Sequence, residues 1–217
     1  MTTRLELRTS LRERLEDTGS APLWSDAALN AWLGEAVRQY GVQVPAQATA
    51  TTAAVAAGDL AVTLPAGVAA EAIVAVRDAA GATVPRSDGH VPDGVPAQRR
   101  RTAQGWSAWG ATLRLRRAAA GPDDLGPWSI DYAAGRELTG NDLDPQPIVA
   151  GDEPVIVALA AALALGQRAV ERGKRGDATA AQAMQASADA ARDEAATLLA
   201  ARRRRPRAGF LQVDGAG

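Results

Sequence analysis

Pro22-Leu-Trp-Ser-Asp-Ala-Ala-Leu-Asn-Ala-Trp-Leu-Gly-Glu-Ala-Val-Arg-Gln-Tyr-Gly41 spells a helix with a start, a face and a stop. Ser25 is an N-cap, and Asp26 follows it in the positively polarised first turn. Trp24 before the cap and Leu29 one turn inside have hydrophobic-staple spacing. Leu29, Trp32, Leu33, Ala36, Val37 and Tyr40 fall on one stripe, which predicts a core face. Gly41 can take the left-handed conformation that stops a helix, and Pro45 blocks a restart.

Working toward the N-terminus, Thr3 and Glu6 have capping-box spacing and predict a helix from about Thr3 to Asp17. Leu7, Leu11 and Leu15 repeat on one face. Arg8, Arg12, Glu13, Arg14 and Glu16 are read as its wet side. The connector Thr18–Pro22 then closes a helical hairpin, so residues 1–45 form one segment.

Residues 46–151 change character. Thr51–Val55 and Leu60–Leu64 flank Ala-Ala-Gly-Asp, and Ala72–Arg77 and Ala82–Val84 flank Asp78–Gly81. Both read as hairpins. Residues 85–105 read as a long loop, rich in Pro and Gly. Leu113 and Leu115 alternate with arginines, and Trp128, Ile130 and Tyr132 alternate with Ser129 and Asp131. These are half-buried strands of a small antiparallel β-domain. Residues 134–151 read as a further loop.

Helical character returns over 152–204. Asp152 can cap, and Ile156, Leu159, Leu163 and Val170 share a face. Gly176-Asp177 stops that helix and caps the next. Ala181, Met184, Ala188, Ala191, Ala195 and Leu198 then form a heptad seam of small residues. Residues 205–217 are an extended tail. The expected fold is α+β: mainly a helical bundle from both chain ends, with an inserted small antiparallel β-domain.

Composition narrows the chemistry. The chain has 217 residues, a formal net charge of −1 and no cysteine. The charge supplies no whole-protein pull toward nucleic acid or membrane, and thiol chemistry is excluded. Of 24 basic residues all but Lys174 are arginine. The charged N-terminus is no signal peptide. The longest apolar run, Val155–Leu165, is shorter than the ~20 residues that span a bilayer. No membrane partner is expected.

Catalytic motifs are missing, so the reading is of a non-enzyme without cofactor or metal. His90, in the long loop, has no ligand partners at metal spacing. Asn141-Asp142-Leu143-Asp144 lacks the glycine and distal glutamate of a calcium loop and reads as an Asp-rich turn. Two readings stand for Arg99, Arg100 and Arg101, and for Arg202–Arg205 with Arg207: solvated charge, or contact with a protein or DNA partner. Leu29, Trp32, Leu33 and Tyr40 are assigned to the core. Trp106 and Trp109, beside Gly105 and Gly110, are candidates for a subunit contact, where tryptophan is enriched.

The Arg/Leu helix, the Leu23-Trp24-Ser25-Asp26 start, the Ala-rich terminal helix pair and the closing Arg run resemble the head-to-tail adaptor (connector) proteins of tailed bacteriophages. The resemblance implies a structural virion protein, made in the bacterial host cytoplasm and placed at the neck. Such proteins form a ring, usually twelvefold, beneath the portal. The ring extends the channel for viral DNA and carries the next neck or tail-completion protein. It further implies that Arg202, Arg203, Arg204, Arg205, Arg207, Phe210 and Leu211 dock on the portal. The alternative is a DNA-binding or packaging accessory protein that uses the arginine clusters.

Overall fold

A computed structural model describes residues 2–87 and 104–203, with residue 203 described by its backbone. His90, Arg99, Arg100, Arg101, Arg204, Arg205, Arg207, Phe210 and Leu211 lie outside the described residues. The fold is mixed α+β. It divides into a helical unit, Met1–Val44 with Arg136–Gly217, and a β unit, Pro45–Gly135. The boundary falls at Gly135 rather than 151, because the 136–151 segment is tied to the helices by the arginine contacts described below.

In the helical unit, α1 (Arg4–Arg14) opens with the complete capping box between Thr3 and Glu6. Its exit is less conventional. The Glu16 amide donates to the Glu13 carbonyl and the Asp17 amide to the Arg12 carbonyl, the paired bonds of a Schellman motif. The left-handed position is Glu16, at φ 55°. The same motif ends α3 (Glu153–Lys174) with Gly176 there instead, at φ 82°. A side chain at positive φ is strained, and an acidic one also opposes the negative helix C-terminus. Glu16→Gly is therefore expected to stabilise the unit by about 0.5–1 kcal/mol, read as a raised urea midpoint. A lowered midpoint would contradict this account.

α2 (Asp26–Gln43) starts where its cap predicts: the Ser25 hydroxyl accepts from the Ala28 amide. The ring of Trp24 meets Trp32 edge-on, with centroids 5.9 Å apart. Gly41 does not stop the helix, which continues to Gln43. A side chain at Gly41 would press on the Arg136 backbone at 2.9 Å, so its smallness serves close approach. Leu29, Leu33 and Tyr40 are fully buried, while Trp32 sits at the edge of the core and donates its indole N–H to Gln167.

The core joins Leu7 and Leu11 of α1, the α2 stripe, Val155–Ala161 of α3 and Ala195 of α4 (Ala178–Arg203). α3 packs on α1, α2 and α4. Its buried residues include Ala158, Ala160, Ala161, Ala162 and Ala164, whereas Leu159 and Leu163 are only half-buried and Val170 is 56% exposed. Of the expected face, Ile156 is fully buried and Leu159 packs on the core, while Val170 is not; the buried surface widens to Val155, Val157 and the alanines because three neighbours crowd this helix. α3 is long and apolar enough to cross a membrane by length and composition, and half of its apolar window is buried within the protein. On α4 the heptad seam appears as read: Ala188, Ala191 and Ala195 are buried, with Ala181, Met184 and Leu198 half-buried beside them. Asp177 caps α4 by accepting from the Ala180 amide.

The β unit has two antiparallel sheets. One runs β1 (Ala46–Val55), β7 (Gly126–Ala134), β3 (Ile73–Arg77), β4 (Thr83–Val84). The other runs β2 (Ala61–Thr63), β6 (Thr112–Leu115), β5 (Trp106–Trp109). The Asp78–Gly81 hairpin forms as expected, pairing β3 with β4. The first expected hairpin does not: β1 pairs with β7 and β2 with β6. Both sheets feed one core containing Val62, Val76, Trp106, Leu113, Trp128 and Ile130. Asp131, expected to be wet, is buried, where it accepts from Thr49 Oγ1 at 2.7 Å and pairs with Arg77 at 2.7 Å.

Candidate functional site

Tyr40, the last member of the α2 stripe, gathers the ends of the helical unit. Its hydroxyl donates to Asp152 Oδ2 at 2.6 Å. Asp152 occupies the N-cap position of α3, but its side chain makes no capping bond. The carboxylate instead pairs with Arg202 Nη1 at 2.8 Å, and Arg202 also donates to the Tyr40 oxygen at 3.2 Å. Arg136 lies over the Tyr40 ring at 5.5 Å and donates to the Val44 and Pro147 carbonyls. Burial, then the bond to Asp152, push the Tyr40 phenol up to about 12. It stays protonated and acts as a donor. The cluster fastens together α2, the start of α3, Arg136 and Arg202 of α4.

This placement redefines Arg202. The family resemblance implies partner docking for it; within the unit its guanidinium pairs with Asp152 and donates to Tyr40.

A second cluster was not anticipated. Arg4, Arg8 and Arg12 repeat every four residues along α1, the same spacing as its leucines. Arg4 Nε meets Asp142 Oδ1 at 2.6 Å, and Arg8 grips both Asp142 oxygens, at 3.1 and 2.8 Å. Arg12 bridges Asp26 at 2.7 Å and the buried Asp17 at 2.6 Å. Asp17 also accepts from the Leu23 and Trp24 amides, which fixes the α1–α2 turn. Far from being solvated, Arg8 is 8% exposed. The Asn141–Asp144 turn is therefore an anchoring turn for α1. Among the described residues no group of three His, Cys, Asp or Glu could hold a metal ion.

The two arginines pull the Asp142 carboxyl down from its ordinary 3.8 to about 2, the Arg8 bond contributing most. A depressed folded-state value stabilises above the ordinary one and is lost as pH falls through the folded one. Asp142→Asn is therefore expected to be less stable than the parent at pH 6. The two urea midpoints should converge between pH 4 and about pH 2. A gap that persists unchanged at the acid end would refute the linkage.

An open groove of about 570 Å³ lies along α2, lined by Arg4, Asn30, Arg38 and Glu137 with Ala27, Ala31, Gly34 and Leu138. Arg4 is engaged by Asp142 and Arg38 by Glu35. The groove brings together no nucleophile and base.

The two tryptophans assigned to a subunit contact separate. Trp106 is buried, donates its indole N–H to the Val84 carbonyl at 2.9 Å and carries Arg86 over its ring. It belongs to the β-unit core. Trp109, at the β5–β6 turn before Gly110, is 81% exposed and remains open to a partner. The lone sequence signal separating them is strand alternation, which puts Trp106 and Ala108 on the core side. No protein-family model matches this chain, and the search of curated proteins found no match.

Proposed function

We propose that this chain is the subunit of a head-to-tail adaptor ring in a tailed-phage virion, seated between portal and tail. On this reading the helices of both chain ends form a bundle that makes the ring wall, and viral DNA passes through the lumen. The observation that carries the reading is the two-sidedness of α4. One face is sealed on α3 by alanines, and the opposite face, with Gln182, Gln185, Ala186, Asp189, Ala190 and Asp193, is exposed. At 1.5 Å per residue this helix is roughly 40 Å long. The exposed row sets Ala186 and Ala190 among polar Gln and Asp side chains, a mixed face of that length that suits side-by-side packing of copies, which a ring requires as a heterologous, closing contact.

The Arg202 anchor supports a tail rooted at a fixed point. The partner-docking residues are then narrowed to Arg203, Arg204, Arg205, Arg207, Phe210 and Leu211. Trp109 is assigned to a neighbouring subunit or the tail-side protein. Mass spectrometry of purified particles from the encoding phage or prophage tests the reading, with imaging of the neck. The chain should be present in a fixed ratio to the portal. Its absence from particles overturns the proposal.

A further inference from the structure

Gly34 has no explanation within its own chain. It stands inside α2 with ordinary helical φ, where glycine is a poorer helix former than alanine. A Cβ there would meet only the tip of Arg38, at 4.0 Å. Gly34 lies instead on the floor of the open groove, with Ala27 and Ala31. Glycine there lets another backbone come close. Arg38 reaches back over this floor. Its Nε and Nη2 hold Glu35, while Nη1, the atom nearest Gly34, makes no bond among the described residues.

α4 carries a matching row. Asp189, Asp193, Ala196 and Ala200 are exposed, on the side away from the buried seam. They step by four, three and four residues, as Ala27, Ala31, Gly34 and Arg38 do. Helices pack side by side through rows of that spacing. The Asp193 carboxylate has no partner among the described residues. Both rows belong to the helical unit. α3 packs on both helices, and each row faces away from it. Tyr40 meets Asp152 and Trp32 meets Gln167, so α2 runs antiparallel to α3. α4 does the same, with Gly173 beside Ala181 and Gly166 beside Arg192. α2 and α4 therefore run parallel, with their open rows on opposite sides of the unit.

We infer that the α2 groove receives the outer face of α4 from a second copy of this chain, Gly34 admitting the neighbour's helix and Arg38 meeting its Asp193. The contact is heterologous, and it rests on the adaptor reading as the interface that closes the ring. A rotation small enough to close a ring of many copies leaves the neighbour's α4 parallel to α2. The separation of 162 residues between the bonded Tyr40 and Arg202 sets the level. With the ring axis along the helices, Ala31 lies level with Asp193 and Gly34 with Ala196.

Sedimentation of the full chain tests the contact. The parent should form assemblies larger than dimers. Ala27→Glu with Ala31→Glu sets acid against Asp189 and Asp193; Ala196→Arg with Ala200→Arg sets base against Arg38. All four positions are exposed, so the fold should tolerate both variants. Each alone should be monomeric. Their equal mixture keeps one intact groove and one intact α4 face, and should give dimers and nothing larger. Gly34→Ala separates the contact from the fold: in the Ala196→Arg, Ala200→Arg background it should raise the urea midpoint, and in the parent it should weaken assembly about tenfold or more. A parent that is monomeric at every concentration, a mixture that forms no dimers, or assembly indifferent to Gly34→Ala overturns the inference. Particles that contain the chain while both paired variants still assemble would sink this contact and leave the adaptor reading standing. Particles without the chain, alongside the expected sedimentation, would do the reverse.

Discussion

Trp128→Ala is expected to cost the β unit about 3–5 kcal/mol, the range for emptying a large aromatic site in a core. The side chain is fully buried in the core that also holds Val76, Ile130 and, from the second sheet, Val62 and Leu113. Its indole N–H donates to the Asp124 carbonyl at 2.9 Å, so truncation also strands that acceptor. Asp124 in turn pairs with Arg117 at 2.8 Å and accepts from the Ala120 and Gly121 amides, so the 117–124 loop hangs from this tryptophan. Against a domain stability of about 5–15 kcal/mol, the loss is large. The helical unit has its own core, with no residue of the β unit in it. Hydrogen exchange followed by mass spectrometry should therefore show protection falling across β1–β7 and holding in α3. Loss of protection in both units together would mean that they unfold as one. No loss in either would remove Trp128 from the centre of the core.

The sequence made α2 legible because every local device agreed: cap, staple, stripe and following proline. The α4 seam was equally legible, since a helix with a single packed face keeps strict periodicity. α3 was not. A helix packed on three sides has no single wet face, so the stripe through Ile156, Leu159, Leu163 and Val170 captures Ile156 and Leu159 but not the buried valines and alanines on its other sides. The α1 arginines failed for another reason. Their spacing matched the leucines, but charge was equated with solvent, and Asp142 lies far along the chain. Pairing of β1 with β7 joins residues more than seventy apart in sequence, a relation that local hairpin signals cannot carry. The buried Asp131 follows from it, because Thr49 reaches Asp131 only once those strands meet. Among the candidate site residues, the core assignments at Leu29, Leu33 and Tyr40 were readable from one stripe. The pairing of Arg202 with Asp152 was not, because the two lie fifty residues apart on different helices.

Ala188→Leu should destabilise the helical unit by about 1–3 kcal/mol through overpacking. Ala188 is fully buried at the centre of the α4 seam, and the facing helix buries alanines of its own. Two helices meeting through alanine on both sides approach closely, leaving no space for an isobutyl group without shifting a helix. Leucine and alanine have similar helix propensity, so the change isolates packing from helix formation. Ala190→Leu supplies the contrast: that position is exposed, so the substitution should move stability by no more than about 0.5 kcal/mol. Urea unfolding followed at the helical circular-dichroism band reads both. Equal effects at the two positions would mean that the seam is loose. A large effect at Ala190 alone would place the tight contact on the outer face of α4, where the ring reading puts a neighbouring copy. In that case the loss should depend on protein concentration, since it would come from assembly rather than from the fold.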